Sequence, residues 1–320
     1  MIKVNDIYQE DCLSFLDNLH SENTKVDVIV TSPPYNINKK YRSYSDNKSR
    51  RDYLKWILDI AIHSYKVLKD DGSFFLNIAG VPSDPSLPFE VLKQFLDAKF
   101  RLQNTIHWIK SISFEKEEVG KSNSMRTSNV SIGHFKPIIS DRFLTDLHEY
   151  VFHFTKDNST KLDKLAIGVP YQDKTNIGRW KAAKKDTRDR GNVWFISYPT
   201  IKEGRPHPAV FPEKLPYLCI KLHGIRKDML VYDPFMGIGN TALACLNLGV
   251  SYIGTEIDHN YIKVAKEMIK ERKATLNIKQ LSLPIPEDDI DSMMLGGKMG
   301  GNRIMSNEQK EELLKRVFGL

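Results

Sequence analysis

The stretch DMLVYDPFMGIGNTALACLNLGVSYIGTEID, residues 228–258, decides the fold of this chain. Its apolar ends, residues 229–232 and 251–255, have the length and composition of buried strands, and residues 241–249 between them are rich in good helix formers. Gly237 and Gly239 lie where the first strand turns into the helix. A strand, turn, helix and strand in this order form a βαβ unit, which predicts two parallel strands.

The same alternation of strand-like and helix-like segments continues along most of the chain. Predicted strands cover residues 26–31, 72–79 and 101–110, and predicted helices cover residues 51–72, 88–100, 211–224 and 260–273. The first of these helices is expected to end at Asp71-Gly72, a good stop signal. We therefore predict an α/β fold with a doubly wound, mostly parallel sheet.

The alternation breaks in the middle of the chain and again near its end. Residues 112–192 are polar and rich in loop formers, with one strand-like segment at residues 147–156. The tail, residues 276–320, reads as a linker that ends in a short helix with a capping box at Ser306 and Gln309. We therefore predict two halves of one domain, residues 1–111 and 193–275, separated by an insert at 112–192 and followed by the tail.

Composition limits the class of protein. The chain has 320 residues and a formal net charge of +7, which fits a polyanionic partner without identifying one. Its three cysteines, Cys12, Cys219 and Cys245, are too far apart for a disulfide framework or a zinc motif, so no metal site is predicted. The first twelve residues are polar, and no apolar run approaches about 18 residues. We therefore expect a cytoplasmic protein.

The glycine turn has the features of a nucleoside-binding loop. Its glycines allow the backbone to come close to a ligand at a helix N-terminus, and Glu256 ends the next strand, where an acid can accept both ribose hydroxyls. The loop lacks the third glycine of a dinucleotide site, and Asp233 before it would repel a pyrophosphate but suit an ammonium group. Together with Phe235, this pattern favours S-adenosylmethionine over NAD. The alternative is an ordinary tight turn with incidental acids.

A second rigid corner follows the strand at residues 26–31. Ser32, Pro33, Pro34 and Tyr35 end that strand, because proline lacks the N–H that a sheet ladder needs. The Ser32 hydroxyl and the Pro33 carbonyl could accept hydrogen bonds from an exocyclic amine, and Tyr35 offers a face for stacking on a planar base. A polyproline-like turn is the alternative. The Pro-Cys pair that carbon methylation of cytosine would use is absent.

These residues together resemble the amino-group-methylating DNA methyltransferases, in the permuted order in which the catalytic motif precedes the cofactor motif. TSPPYN, residues 31–36, resembles their catalytic motif, and DPFMGIGNT, residues 233–241, resembles their S-adenosylmethionine loop. HPAVFPEKLPYLCI, residues 207–220, is similar to the helix at the methionine end of the cofactor. IYQEDCLSFL, residues 7–16, is similar to the segment whose acid, here Asp11, approaches the adenine.

The resemblance implies a site with two parts. The catalytic residues implied are Ser32, Pro33, Pro34 and Tyr35. The cofactor-binding residues implied are Asp11, Thr31, Asp233, Pro234, Phe235, Gly237, Gly239, Asn240, Thr241 and Glu256.

The resemblance also implies the substrate and the biological setting. Serine at position 32 points to N4 of cytosine, whereas aspartate there is usual for N6 of adenine, so adenine remains the alternative. The target base of double-stranded DNA would have to be flipped out of the helix. Residues 112–192 would recognise the sequence, and a cognate restriction endonuclease would act on the same site. A non-catalytic nucleic-acid-binding module, an RNA substrate and a protein amide also remain open.

Two basic clusters are candidates for contacts with the DNA backbone. The first comprises Lys39, Lys40, Arg42, Lys48, Arg50 and Arg51, with Tyr41 and Tyr44 between them. The second comprises Arg179, Lys181, Lys184, Lys185, Arg188 and Arg190, beside Trp180. Either cluster alone could equally be a solvated charged surface.

Overall fold

The computed structural model describes residues 2–119, 129–133, 135–179, 185–197 and 210–281, with side chains to residue 277. The strands are β1 Asp6–Gln9, β2 Val26–Thr31, β3 Leu68–Ile78, β4 Arg101–Ile109, β5 Ser111–Phe114, β6 Val130–Gly133, β7 His148–Thr155, β8 Val193–Phe195, β9 Leu230–Asp233 and β10 Ser251–Glu256. The helices are α1 Cys12–Ser21, α2 Arg50–Val67, α3 Leu87–Asp97, α4 Lys214–His223, α5 Asn240–Leu248 and α6 His259–Leu281. The predicted C-terminal helix at Ser306 lies outside the described residues.

In the described part of the chain, eight strands form one sheet in the order β1-β10-β9-β2-β3-β7-β4-β8. The pairs β1–β10, β10–β9, β9–β2, β2–β3 and β4–β8 are parallel, and β7 runs antiparallel between β3 and β4. This confirms the predicted α/β fold with a mostly parallel sheet. The segment at 147–156 is indeed a strand, and it pairs in the middle of the second half of the sheet.

Helices cover both faces of the sheet at its centre, where β2 is apolar on both sides. Val28 and Val30 of β2 face one core with α4 and α5, whereas Ile29 faces a second core with α1, α2 and α3. All six residues of β2 are buried, as expected for a parallel strand with helices on both faces.

The predicted end of the helix at residues 51–72, which is α2 in the structure, was wrong. The helix α2 ends at Val67, and Leu68 is already extended, with φ −67° and ψ 139°. Leu68 pairs with Val26 of β2, so strand pairing and burial override the helical spacing that continues through this leucine. Asp71 and Gly72 therefore lie inside β3.

The described residues form one compact unit from the N-terminal strand to Ala274, and a second unit begins at Thr275. The helix α6 continues into that second unit. None of the helices in the described ranges combines the length and the apolar composition needed to cross a membrane.

Candidate active site

The two sequence motifs come together because their strands are neighbours. β2 pairs in parallel with β9 through Val28–Val231 and Ile29–Tyr232. Parallel strands present their carboxyl ends at one edge of the sheet, where ligands of open α/β sheets bind. The corner that begins at Ser32 and the loop that begins at Pro234 therefore stand side by side, although about two hundred residues of chain separate them.

A cavity of about 770 Å³ lies between the two motifs. Ten of the predicted site residues line it: Asp11, Ser32, Pro33, Pro34, Tyr35, Pro234, Phe235, Gly237, Asn240 and Glu256. The other four, Thr31, Asp233, Gly239 and Thr241, do not line it.

Asp233 connects the two motifs from behind the cavity wall. The Thr31 hydroxyl donates to its Oδ1 at 2.7 Å, and the Thr241 hydroxyl donates to its Oδ2 at 2.6 Å. The Phe235 N–H also donates to Oδ1, at 3.0 Å. The side chain is fully buried, and burial raises the pKa of Asp233 to about 6. The structure thus gives Asp233 three internal donors, whereas the sequence had suggested that this acid faces an ammonium group.

The two glycines of the loop serve different purposes. Gly237 lines the cavity with φ 53°, and its N–H donates to Oε2 of Glu256 at 2.9 Å. Gly239 caps α5 with φ 91°, and a methyl group on it would stand 3.0 Å from the Cβ of Ala265 in α6. Gly237 thus combines a positive φ with a place on the cavity wall, while backbone conformation and packing against α6 explain Gly239.

Glu256 ends β10 with its carboxylate held by the backbone. Besides Gly237, the N–H of Asp258 donates to its Oε1 at 2.9 Å. Partial burial raises the pKa of Glu256 above its ordinary value. Each oxygen still has lone pairs for a further donor, so the carboxylate can accept two hydroxyl groups from a ligand in the cavity.

An aromatic wall stands beside the glycine loop. The Trp56 ring from α2 lies edge-on to Phe235 at 5.5 Å and stacks on Tyr44 at 5.9 Å, and all three rings line the cavity. Trp56 was not predicted as a site residue. It lies within a predicted amphipathic helix, where an aromatic side chain usually belongs to the core, so its sequence context gave no reason to assign it to the site.

Asp11 and Asn240 line the cavity while also holding local structure. Oδ1 of Asp11 caps α1 by accepting the Leu13 N–H at 2.9 Å. Nδ2 of Asn240 donates to the carbonyl of Phe211 at 2.7 Å.

The corner after β2 is fixed by residues that are distant in sequence. The Tyr53 hydroxyl of α2 donates to the carbonyl of Pro34 at 2.9 Å. Beyond the corner, the buried carboxylate of Asp46 accepts the N–H groups of Asn36, Ile37 and Lys39, at 2.8, 3.1 and 2.9 Å. These hydrogen bonds lie within the loop after the corner, and they fix the conformation of the backbone that follows Tyr35.

A chain of hydrogen bonds runs from the corner to a carboxylate that was not predicted. Ser32 Oγ lies 2.8 Å from the Tyr35 hydroxyl, which donates to Oε2 of Glu149 at 3.0 Å. Burial of the hydroxyl and, next, the charge of Glu149 raise the pKa of Tyr35 well above its ordinary value. Glu149 belongs to β7, and no motif in the sequence marks it, since its place depends on the antiparallel pairing of β7 with β3.

The positive charges around the cavity come mainly from lysines. Lys39, Lys48, Lys110 and Lys136 line it. Of the first basic cluster, Arg50 is paired with Asp84, and Arg51 with Asp52. Trp180, Lys181 and Lys184 of the second cluster lie outside the described residues. Within those residues, no group of three His, Cys, Asp or Glu side chains could hold a metal ion.

Comparison with known proteins identifies the family. The model of the N6/N4 methyltransferase family, described as DNA methylase, matches residues 26–267, which is most of the chain. The chain belongs to this DNA methylase family. S-adenosylmethionine is the cofactor of the family, as the sequence predicted.

Individual relatives agree with this assignment. The DNA methylase is 27% identical over 281 residues to the type II methyltransferase M.BglII of Bacillus subtilis, covering 83% of this chain and 69% of that protein. It is also 27% identical over 261 residues to M.HpaI of Haemophilus parainfluenzae, covering 81% and 72%. Among solved structures, the cytosine-N4-specific PvuII DNA methyltransferase shares the fold, with a TM-score of 0.56 and 21% identity over 84% of this chain and 90% of that one.

Proposed function

We propose that this DNA methylase transfers the methyl group of S-adenosylmethionine to N4 of cytosine in double-stranded DNA. The observation that carries the proposal is the single cavity that Ser32 and Tyr35 share with Phe235 and Glu256. On one side, Ser32 offers a hydrogen-bond acceptor and Tyr35 an aromatic ring for a base. On the other side, Phe235 and Glu256 offer an aromatic ring and a carboxylate for a nucleoside.

The donor set of the cavity fits the cofactor. Glu256 would accept the ribose hydroxyls, and Phe235 and Trp56 would contact the flat adenine, while Asp11 lies on the same lining. When bound, the cofactor supplies an electrophilic methyl group. The buried Asp233 would act indirectly, since its bonds to Thr31 and Thr241 hold the loop against β2.

The residues of the corner would prepare the amine for attack. An amine on an aromatic ring is a poor nucleophile because its lone pair is delocalised into the ring. Ser32 Oγ and the carbonyl of Pro33 would accept its two N–H groups, which localises the lone pair on nitrogen. Tyr35 would stack on the base, a contact worth ~1–3 kcal/mol at comparable sites. The protein thus contributes alignment and electrostatics, with no covalent enzyme intermediate.

The DNA would be held outside this cavity. A base within a duplex cannot reach the corner unless it leaves the stack, so we propose base flipping. Lys39, Lys48 and Lys136 would contact phosphates, and residues 112–192 would read base edges in the major groove. We also propose a role beside a restriction endonuclease that acts on the same site, which the relatives named as type II methyltransferases support, and a cytoplasmic location.

The direct test is to identify the modified base in cells that express the enzyme. Host DNA is digested to nucleosides and analysed by mass spectrometry, and long-read sequencing then locates the modified positions. We expect N4-methylcytosine at one short sequence, and no modification with a Tyr35→Ala variant. N6-methyladenine at that sequence would support the second candidate, which the family model equally covers.

A chain that binds DNA without chemistry would give neither base. Calorimetric titration with S-adenosylmethionine separates that case, since the proposed enzyme binds its cofactor. Unmodified DNA together with absent cofactor binding would overturn the proposal.

A further inference from the structure

Glu149 receives three hydrogen-bond donors at the edge of the catalytic corner. Tyr35 and Asn77 both donate to Oε2, each at 3.0 Å, and Lys110 donates to Oε1 at 3.1 Å. The three donors come from the corner after β2, from β3 and from the residue after β4. Four separate parts of the sheet thus converge on one carboxylate, which lines the same cavity as Ser32.

The surroundings of Glu149 supply only hydrogen-bond donors and hold its carboxylate in place. Only 14% of the Glu149 side chain is exposed, and the ammonium group of Lys110 supplies a compensating charge. Asn77 is itself buried, and its second contact, with the carbonyl of Tyr150 at 3.2 Å, fixes its amide with the N–H groups towards Glu149. An ammonium group has no acceptor and an amide NH₂ group can only donate, so neither contact requires a protonated carboxyl group.

The number of hydroxyl hydrogens then determines the direction of the hydrogen bonds from Ser32 through Tyr35 to Glu149. Tyr35 has one hydroxyl hydrogen, and it is donated to Oε2 of Glu149. The 2.8 Å contact between Tyr35 and Ser32 must therefore use the hydrogen of Ser32. Both lone pairs of Ser32 Oγ consequently stay available as acceptors, and Ser32 lines the cavity, so Glu149 makes Ser32 an acceptor instead of a donor.

We propose that Glu149 is the terminal proton acceptor of the methylation reaction, reached through Ser32 and Tyr35. This inference rests on the proposed function and deepens it. As the N–CH₃ bond forms, one N–H bond of the amine breaks and its proton passes to Ser32 Oγ. The former hydrogen of Ser32 passes to the Tyr35 oxygen, and the former hydrogen of Tyr35 passes to Oε2 of Glu149. The amine loses one proton, Glu149 gains one, and Ser32 and Tyr35 end as neutral as they began.

The location of Glu149 lets it complete the cycle. Its side chain retains partial exposure, so the proton can return to solvent after the product leaves. Because the negative charge lies at the far end of two hydroxyl groups, it can stabilise positive charge on the nitrogen without occupying the space of the base. The same relay would serve cytosine N4 or adenine N6, since both are exocyclic amines.

Three variants test the relay by single-turnover methylation of host-derived DNA that lacks the modification. Glu149→Gln keeps an oxygen that can accept from Tyr35 but removes the basic carboxylate. Glu149→Leu removes both the acceptor oxygen and the basic carboxylate. Tyr35→Phe removes the hydroxyl group that connects Ser32 to Glu149. General base catalysis contributes typically about 10²–10⁴-fold, so we expect the rate of Glu149→Gln to fall about 100-fold or more. Its affinity for S-adenosylmethionine should stay within about threefold of the wild type.

A double-variant cycle gives the readout that a structural role would not produce. If Glu149 acts through Tyr35, Glu149→Gln should cause little further loss in a Tyr35→Phe background. A matched control is Asp27→Asn, which makes the same carboxylate-to-amide change in a buried ion pair with Lys69 and Arg226. Asp27 lies five residues before Ser32 along β2, about 16 Å away in an extended strand. This control should lower thermal stability and leave the rate of the folded enzyme unchanged.

The outcomes separate the relay from the function it serves. A wild-type enzyme that modifies no DNA would refute the proposed function. Given an active wild type, the relay is overturned if Glu149→Gln is as fast as the wild type while Glu149→Leu is slow, because orientation alone would then suffice. Fully multiplicative effects of Glu149→Gln and Tyr35→Phe would also overturn it.

Discussion

The cofactor loop, Asp233–Thr241, and the catalytic corner, Ser32–Tyr35, are held in different ways. Most of the bonds that hold the loop come from its own βαβ unit: Asp233 binds Thr241, and Glu256 binds Gly237. The corner is held mainly by residues outside it. Tyr53 and Glu149 bind it directly, and Asn77 and Lys110 hold Glu149 in place. The loop is therefore a local device that a short sequence can specify, whereas the corner depends on the assembled sheet.

This difference predicts which property of the enzyme a substitution in each region should change. A change in the loop should act on cofactor affinity and on local stability. A change in the corner should act on turnover, with the cofactor still bound. Asp233 connects the loop to the residue just before the corner, through its bond to Thr31.

The largest expected effect is that of Tyr35→Ala on turnover. The change removes the stacking face and the partner of both Ser32 and Glu149. A stacking contact of up to about 3 kcal/mol corresponds to about 100-fold, and the lost relay adds to this. We expect single-turnover rates to fall at least that far, while calorimetry shows cofactor affinity within a few-fold of the wild type. Equal loss of both quantities would break the comparison between corner and loop.

This contrast also explains how far the sequence could predict the site. The glycine turn, Asp233 and Glu256 are close in sequence, so residue spacing alone identified the loop. The apolar runs identified β2, β9 and β10 for the same reason. Glu149 and Trp56 could not be found this way, because their places depend on strand order and helix packing over long sequence separations.

Two residues, Leu68 and Asp233, show the same influence of the assembled sheet. The end of α2 was misplaced because Leu68 fits both a helical pattern and a buried strand, and its pairing with Val26 decides between them. Asp233 was predicted to bind the cofactor because a carboxylate at this position would suit an ammonium group. Thr31, on the neighbouring strand, instead contributes to binding it within the wall.

Substitution of Asp233 tests the connection between the two regions. Asp233→Ala leaves two buried hydroxyl groups without their acceptor, and each unsatisfied group costs about 1–3 kcal/mol. We expect the free energy of unfolding to fall by about 2–4 kcal/mol and cofactor affinity to fall with it. Asp233→Asn keeps an acceptor oxygen, so it should retain cofactor affinity within a few-fold. If Asn and Ala weaken cofactor binding equally at unchanged stability, Asp233 acts on the ligand by its charge.

A smaller effect should follow from Gly239→Ala. The left-handed backbone at φ 91° disfavours a side chain by about 1–2 kcal/mol, and the new methyl group would press on Ala265. We expect cofactor affinity to fall about 5–10-fold in a calorimetric titration. Gly249→Ala at the other end of α5 is the matched control, since φ is 66° there and a methyl group meets open space. It should lower stability with unchanged cofactor affinity; a similar affinity loss in both variants would mean that the loop is not specifically affected.

Loop and corner also rest on a common sheet, and two buried histidines, His153 in β7 and His223 at the end of α4, should make the stability of the fold depend on pH. Ser73 Oγ lies 2.9 Å from Nε2 of His153 and 2.9 Å from Nδ1 of His223. The remaining nitrogen of each ring faces an N–H donor, from Asn104 at 2.9 Å and from Arg226 at 3.1 Å. Each of these nitrogens must accept, so both rings are neutral. Burial, as the main cause, lowers the pKa of His153 to about 3 and that of His223 to about 4.

The smallest expected effect is therefore a loss of stability on mild acidification. Unfolded histidine binds protons from about pH 6.5 downwards, whereas the folded rings do not until pH 3–4, so stability falls as the pH drops through this window. From pH 7 to pH 6 the two histidines should cost about 1 kcal/mol together, measured by urea unfolding. Asp233 works in the opposite direction, because its pKa of about 6 lets the folded state take up a proton first, and it should offset a few tenths of a kcal/mol. His223→Gln should roughly halve the histidine contribution to the pH slope, whatever its effect at pH 7. An unchanged slope in this variant would show that the acid sensitivity comes from groups other than His223.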